Sequence, residues 1–286
     1  MNERYKRQSF LGPRSEEIVG TCVAAIVGVG GGGSHIAQQL AHLGVQNFRL
    51  FDPDQAEESN LNRLVGARPS DIADKMTKTT ISSRLIKAIN PAANVMQIEA
   101  RWQESHRWLR DCDVIFGCVD TYVARQELEI AARRYLAPYI DIGMDVLPLD
   151  EQFTVSGQVI LSMPGGLCMR CLGFLRDDLL TQEAQRYGVA GDHPQVVWAN
   201  GVLASVAVGV FTQLFTPWHN GHSTTAYLEY DGNTHTVAAS NRLAHMKNRW
   251  CPHFQGIGEL GDPFWVPEEI TDPHTSTKGE AAYGKG

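Results

Sequence analysis

Residues 23–54 constrain the fold of this chain more than any other stretch. Val23, Ala24, Ala25, Ile26 and Val27 run without a polar break, as a strand buried on both faces would. Gly28, Gly30, Gly31, Gly32 and Gly33 follow at once. Ile36, Ala37, Leu40, Ala41 and Leu43 then recur at helical spacing, and Gly44 is placed to end that helix. A second apolar run, residues 48–51, leads into Asp52 and Asp54. Strand, glycine turn, helix, strand, acid is the order of the nucleotide-binding half of a Rossmann-type unit. Glycines let the backbone turn tightly and approach phosphate oxygens, and free N–H groups at the helix start attract anions. Asp52, 19 residues after Gly33, stands where a carboxylate accepts hydrogen bonds from a ribose.

The expected fold class is therefore α/β: a Rossmann-type mixed sheet, with a parallel nucleotide-binding half (20–150) followed by antiparallel strands. The 286 residues have ample length for a sizeable core. A net charge of −7, with no long lysine or arginine run, argues against nucleic acid as a partner. The opening segment MNERYKRQSF has charge but no apolar stretch behind it, so it does not read as a signal peptide. The longest apolar-leaning run, residues 201–215, is too short for a bilayer span and reads as a buried core helix. Six cysteines in a chain of this length do not suggest a disulfide framework. No membrane is expected, and the chain reads as cytoplasmic.

Further along, a polar loop through Lys78 precedes a helix over 79–88, closed by Asn90-Pro91. A strand is expected near 95–100, then a helix with Trp102, Trp108 and Leu109. The next buried strand, 113–118, carries Val119-Asp120 at its carboxyl end, the edge where open α/β sheets bind ligands. Asp120 also fits as the cap of a helix starting near Tyr122. Residues 139–142 form a further strand ending at Gly143, and alternation from Gln152 to Met163 adds antiparallel strands. Residues 173–194 read as a mobile crossing loop. A β-hairpin spans 225–230 and 234–238 around Asp231-Gly232-Asn233. One domain over 1–270, with a second half at 151–270, is expected to precede a disordered tail at 271–286. Cys168-Met169-Arg170-Cys171 follows a Pro-Gly-Gly turn. A CxxC serves redox chemistry, metal binding or neither, and with no thioredoxin-like context before it metal ranks first.

Taken together, the motifs from about Arg4 to about Arg249 resemble the ThiF/MoeB family of adenylating enzymes, relatives of ubiquitin-activating enzymes. The family's GxGGxG turn is matched by Gly28, Gly30, Gly31 and Gly33, and its strand-end acids by Asp52 and Asp54. Its NxxR falls on Asn60 and Arg63, its lysine on Lys78 and its adenylate-site aspartate on Asp120. Its amino-terminal RYxRQ is present as Arg4-Tyr5-Lys6-Arg7-Gln8. The glycine usual before the lysine is missing, which leaves Lys75 as a rival; the eleven residues from Lys78 to Ile89 favour Lys78.

The resemblance implies ATP and Mg²⁺ as cofactors and a homodimer in which Arg7 reaches the partner's phosphates. Arg63 and Lys78 would neutralise phosphate charge, Asp120 would hold Mg²⁺, and Asn60 would assist. The implied partner is a small ubiquitin-like β-grasp protein whose carboxyl-terminal glycine becomes an acyl-adenylate. Adenylation of a peptide or tRNA base, and a non-catalytic scaffold paired with an active homologue, are the alternatives; NAD-dependent oxidoreduction is the generic Rossmann fallback. The family's second CxxC falls on Cys251-Pro252-His253-Phe254, where the last cysteine is replaced. Cys168, Cys171, Cys251 and His253 would then bind structural Zn²⁺ as Cys3His; the other reading is a decayed site. The loop that carries a catalytic cysteine in thioester-forming relatives has none here, its expected position falling near Ala190. Cys22, Cys112 and Cys118 fall in or beside expected strands and read as core thiols.

Overall fold

The computed structural model describes residues 3–185, 194–219, 225–246 and 250–254. A 3-10 helix, Glu3–Leu11, leads into α1 (Ser15–Thr21), β1 (Val23–Val27), α2 (Gly31–Leu43) and β2 (Asn47–Phe51). Then come α3 (Pro69–Ala73), α4 (Lys78–Ile89), β3 (Asn94–Ile98), β4 (Val114–Gly117) and α5 (Tyr122–Arg134). The second half holds β5 (Tyr139–Leu149), β6 (Gln152–Ser162), α6 (Asp177–Gln185), α7 (Val197–Phe215), β7 (Thr225–Asp231), β8 (Thr236–Ala239) and α8 (Asn241–His245).

Among the described residues the strands make one eight-stranded sheet in the order β3-β2-β1-β4-β5-β6-β7-β8. Strands β1 to β5 pair in parallel, and β6, β7 and β8 add on antiparallel. This is the mixed Rossmann-type sheet expected from the sequence. The chain order reverses at β1, which has β2 on one side and β4 on the other, so a crevice opens at the carboxyl ends of β1 and β4. Register levels those ends, because Val27 lies opposite both Phe51 and Gly117. The glycine turn, Asp52 and Cys118 therefore leave the sheet side by side.

The core has one layer on each face. Ile26, Ile36, Leu40, Phe48, Phe116, Leu203 and Phe211 fill the face under α2 and α7, and Ile115, Leu128, Tyr139, Ile160 and Met169 fill the other. Helix α7 starts at Val197, earlier than the apolar run suggested, because Trp198 and Asn200 interrupt the pattern without breaking the helix. At 19 residues it is long and apolar enough by composition to cross a bilayer, so the length argument against a span falls. Its core assignment rests instead on Ala199, Leu203, Ala204, Ala207, Val208 and Phe211, which are buried against the sheet.

Three expectations need correction. Strand β5 does not stop at Gly143 but runs to Leu149, paired with β6 along its whole length. Pro148 is tolerated there because β4 pairs only with Tyr139–Asp141, leaving the far end of β5 with a free edge. The crossing stretch 173–194 is not a loop throughout: residues 177–185 form α6, whose first-turn Asp177 and Asp178 suit a helix start. Asp120 does not cap α5; Thr121 does, its Oγ1 accepting the Ala124 N–H at 3.1 Å. Ala190, the end of the crossing stretch (186–193) and the tail at 271–286 lie outside the described residues.

Candidate active site

At the end of β1 the backbone turns through Gly28 at φ +86°, and a β-carbon there would stand 2.6 Å from the Cys118 carbonyl oxygen. At Gly33 a β-carbon would stand 2.0 Å from the Gly28 oxygen. These two positions must be glycine for α2 to start so close to β1. Gly30 is the N-cap of α2 and offers no side-chain cap, and the space over it is open. The first intrahelical bond runs from the Ser34 N–H to the Gly30 oxygen, so the N–H groups of Gly31, Gly32 and Gly33 have no acceptor within α2. The result is an open anion cradle at the helix N-terminus.

Asp52 is buried, 5% exposed, and its two oxygens accept the Val29 N–H at 2.9 Å and the Asp54 N–H at 3.0 Å. Its carboxylate thus pins the glycine turn to the end of β2. Burial pushes its pKa up, opposed by the Lys78 ammonium. Lys78 opens α4, and its Nζ lies 2.7 Å from Asp54 Oδ2 and 3.8 Å from Asp52 Oδ1. The Lys78 N–H also donates to the Asp54 oxygen at 3.0 Å, so the lysine is locked to this corner by main chain and side chain. Lys75, by contrast, is exposed at φ 51°.

Arg63 and Asn60 sit on the loop between β2 and α3. The buried Ser34 hydroxyl accepts the Val65 N–H at 3.0 Å, which moors that loop to the start of α2. Arg63 is half-buried and donates to the Ser59 oxygen at 2.6 Å. Asn60 spends its carboxamide oxygen on the Glu57 N–H at 3.2 Å, closing a capping box. Its first task is thus to shape the loop that carries Arg63.

Asp120 follows β4 on the same edge and is exposed. Among the described residues its carboxylate accepts no hydrogen bond and pairs with no cation. It is the carboxylate of this edge with oxygens to spare for a metal ion, and that donor chemistry suits Mg²⁺. Arg7 is not brought here. The 3-10 helix that bears it packs at the far end of α2, with Gln8 Nε2 donating to the His42 oxygen at 3.5 Å and the Arg4 guanidinium to the Ile89 oxygen. Helix α2 is 13 residues long, so that end lies about 20 Å from the glycine turn.

Three groups beside the crevice escaped the sequence reading. Asn200 of α7 is buried over Gly31 and Gly32, its Nδ2 donating to the Val196 oxygen at 3.1 Å. Arg125 and Asp141 form a fully buried ion pair in which Asp141 also accepts the Tyr139 hydroxyl at 2.8 Å. Glu183 of α6 accepts the N–H groups of Tyr122 and Val123 at 2.9 Å each. Nothing local in the sequence marks them, because each acts through a partner distant along the chain.

The second cluster is formed by Cys168, Cys171, Cys251 and His253, whose ligand atoms lie within 4.8 Å of one another. The Sγ atoms of Cys168 and Cys171 are 3.6 Å apart, and His253 Nδ1 lies 3.3 and 3.4 Å from them. Zinc bonds of about 2.3 Å to sulfur and about 2.0 Å to nitrogen put tetrahedral ligands roughly 3.5–3.8 Å apart. The donor set and its spacing fit zinc. Phe254, where the family has its last cysteine, turns away and lies 4.6 Å from the Arg133 guanidinium. Arg133 in turn donates to the Gly166 oxygen at 2.8 Å, and Glu129 accepts the Met169 N–H at 2.8 Å, so both brace the knuckle.

A Rossmann-type mixed sheet, with an uncapped glycine-rich helix start, a lysine clamped to paired acids and a free aspartate at the switch point, defines a nucleotide-binding α/β protein with a separate Cys/His knuckle. The ThiF family matches residues 5–253, and the chain belongs to it. It is 27% identical over 175 residues to the SAMP-activating enzyme E1 of Haloferax volcanii, covering 59% of this chain and 61% of that protein. It is 27% identical over 178 residues to the sulfur carrier protein ThiS adenylyltransferase of Bacillus subtilis, covering 60% and 51%. The chain thus spans about half to three fifths of these relatives' length. Its fold is similar to Escherichia coli MccB solved with ATP, at a TM-score of 0.67 and 18% identity over 85% of this chain and 72% of MccB.

Proposed function

We propose that the protein is an ATP-dependent adenylyltransferase that activates a carboxylate, the carboxyl-terminal glycine of a small ubiquitin-like or sulfur-carrier protein. The observation that carries this reading is the convergence of the open α2 N-terminus, Lys78 over Asp52 and Asp54, and Asp120 at one switch point. Two relatives that activate SAMP or adenylate the sulfur carrier ThiS support the substrate class.

The substrate carboxylate is ionised at neutral pH, so no general base is required. One of its oxygens bonds to the α-phosphorus of ATP while the bond from that phosphorus to the β-phosphate bridging oxygen breaks, giving acyl-adenylate and pyrophosphate. The work left to the protein is positioning and charge neutralisation. The N–H groups of Gly31–Gly33 would cradle phosphate, Lys78 and Arg63 would offset its charge, and Asp52 and Asp54 would hold the ribose or metal-linked water. Mg²⁺ on Asp120 would neutralise triphosphate charge. Arg7 lies too far to serve its own chain's site, which supports a homodimer in which it completes the partner's. The stretch 173–194 contains no cysteine, so the enzyme releases its adenylate to an external nucleophile and forms no loop thioester. The knuckle holds zinc in a structural role, and the protein works in the cytoplasm.

Exchange of labelled pyrophosphate into ATP, dependent on Mg²⁺ and on a glycine-terminated β-grasp protein, tests the reading. Its absence with a panel of such proteins, where a peptide carboxylate gives exchange, would favour the second reading, which the fold shared with MccB and its peptide MccA supports.

A further inference from the structure

Three helix starts open on the ligand edge, and each is finished differently. Helix α2 has no side-chain cap and open space above Gly30. Helix α4 carries Lys78 in its first turn and is capped by Thr77. Helix α5 is closed completely: the Ala124 N–H goes to Thr121 Oγ1, the Tyr122 N–H to Glu183 Oε1 and the Val123 N–H to Glu183 Oε2. One side chain normally satisfies one of these groups and water takes the rest. Here a carboxylate about sixty residues further along the chain takes two, gaining charge-assisted bonds and the favourable end of the helix dipole.

We infer that Glu183 is a positioning residue for Asp120. Between the last bonded residue of β4 and the first turn of α5 lie only Cys118 to Thr121, with the Cys118 N–H already bonded to the Val27 oxygen at 2.8 Å. Clamping the Tyr122 and Val123 N–H groups fixes the other end of this short span and so the direction in which Asp120 leaves the sheet. The same carboxylate occupies the α5 N-terminus against phosphate, which leaves the triphosphate to α2 and α4 and keeps Asp120 for the metal ion. Glu183 is held in place from the knuckle side, where Arg170 pairs with Asp177 at the start of α6 and Phe174 packs on Tyr122 with ring centroids 5.7 Å apart. Sequence could not show this, since nothing near Glu183 or Tyr122 announces the pairing.

The inference rests on the adenylation reading for the role of Asp120, so the test separates the two. Full-length wild type, Glu183→Gln and Glu183→Ala are compared in amide hydrogen exchange over residues 118–126 and in ATP binding with and without Mg²⁺. In Glu183→Ala the Tyr122 and Val123 amides should exchange at least about tenfold faster, and the tightening of ATP by Mg²⁺ should fall about tenfold, the scale of one charge-assisted hydrogen bond. ATP affinity without Mg²⁺ should not weaken, since the α5 N–H groups freed of Glu183 are open to anions. Glu183→Gln, which keeps the volume and one accepting oxygen, should fall between, and acetate, but not chloride, should restore the Mg²⁺ effect in Glu183→Ala. Faster exchange with an unchanged Mg²⁺ effect would reduce Glu183 to a dock for α6 and overturn the inference. Tighter Mg²⁺-dependent binding in Glu183→Ala would overturn it too. A wild type with no Mg²⁺-dependent ATP binding would instead bring down the adenylation reading itself, and the inference with it.

Discussion

Lys78 Nζ lies 2.7 Å from Asp54 Oδ2, at the point where β2 meets the glycine turn. The contact joins two stretches 24 residues apart and leaves the lysine 16% exposed, already desolvated on one side and open to ligand on the other. Replacing it with methionine keeps the stem and removes the charge. Pyrophosphate exchange by Lys78→Met should fall about 10²–10³-fold, the scale seen when one stabilising donor is lost from a reacting centre. Lys78→Arg should recover little, because a planar fork cannot replace a point charge held between two carboxylates. Exchange within about threefold of wild type in Lys78→Met would assign the lysine to structure alone.

Asp71, buried in α3, accepts both Arg84 Nη1 and Nη2 at 2.6 Å and the Arg68 N–H at 2.8 Å. This pair folds the loop between Arg63 and Lys78 back onto α4. Arg84→Met would strand a buried carboxylate, at about 3–5 kcal/mol for a fully buried pair. The Arg84 side chain is 31% exposed, so about 2 kcal/mol is expected, a loss of roughly 4–8 °C in Tm. Arg84 holds the Asp71 pKa below its ordinary 3.8. With the folded pKa depressed, the carboxylate's contribution is complete above 3.8 and lost as pH falls through the lower folded value. The difference in stability between wild type and Arg84→Met should therefore shrink in strong acid, which urea melts across pH would show.

The nucleotide half was legible because its determinants are local. An apolar strand, a glycine turn and a 3.6-residue period define β1 and α2 without help from elsewhere. What the sequence left unread was set by distant partners. Thr121 rather than Asp120 caps α5, a choice between adjacent residues made by how far β4 extends. Strand β5 continues past Gly143 because β6 pairs with it, and Pro148 is silent in a strand whose outer edge is free. The resemblance already marked Cys168, Cys171, Cys251 and His253 as one ligand set, and the structure brings them together; what stayed unread is Phe254, diverted to Arg133 by a contact no spacing reveals.

For the knuckle, about one zinc per chain should copurify with the protein, with three thiolates and one imidazole nitrogen at tetrahedral distances. Cys251→Ser should lower both zinc content and Tm, and His253→Ala should weaken zinc retention against a chelator. Metal analysis of protein never exposed to chelator, finding no zinc, would leave the four residues as a relic of a metal site.

Arg7 is exposed on the face of the molecule opposite the glycine turn. If it completes the partner's site, Arg7→Ala and Asp120→Ala should each be inactive alone. Mixed under conditions that exchange subunits, they should regain about a quarter of wild-type exchange activity, because half the dimers are hybrids and each hybrid has one site with both groups. Hybrids shown by mass spectrometry to form, yet giving no recovered activity, would return Arg7 to the status of a surface charge.

The last expectation concerns thiols. An enzyme thioester needs an accessible cysteine beside the adenylate, reactive as thiolate. Cys22 and Cys112 are buried, and burial pushes the Cys112 thiol up to about 12. Cys168, Cys171 and Cys251 gather in the knuckle. That leaves Cys118, half-buried and two residues from Asp120. Its thiol too is pushed up, first by burial and then by the nearby Asp141 carboxylate, so the thiolate that would attack an acyl-adenylate is scarce at neutral pH. Enzyme, ATP and a β-grasp substrate run on a non-reducing gel should give no conjugate that thiol reductant removes. Alkylation of the native protein should spare Cys118 under the same conditions. A reductant-sensitive conjugate that vanishes in Cys118→Ala would show that substrate binding uncovers and activates this thiol, and the enzyme would then carry its product covalently before release.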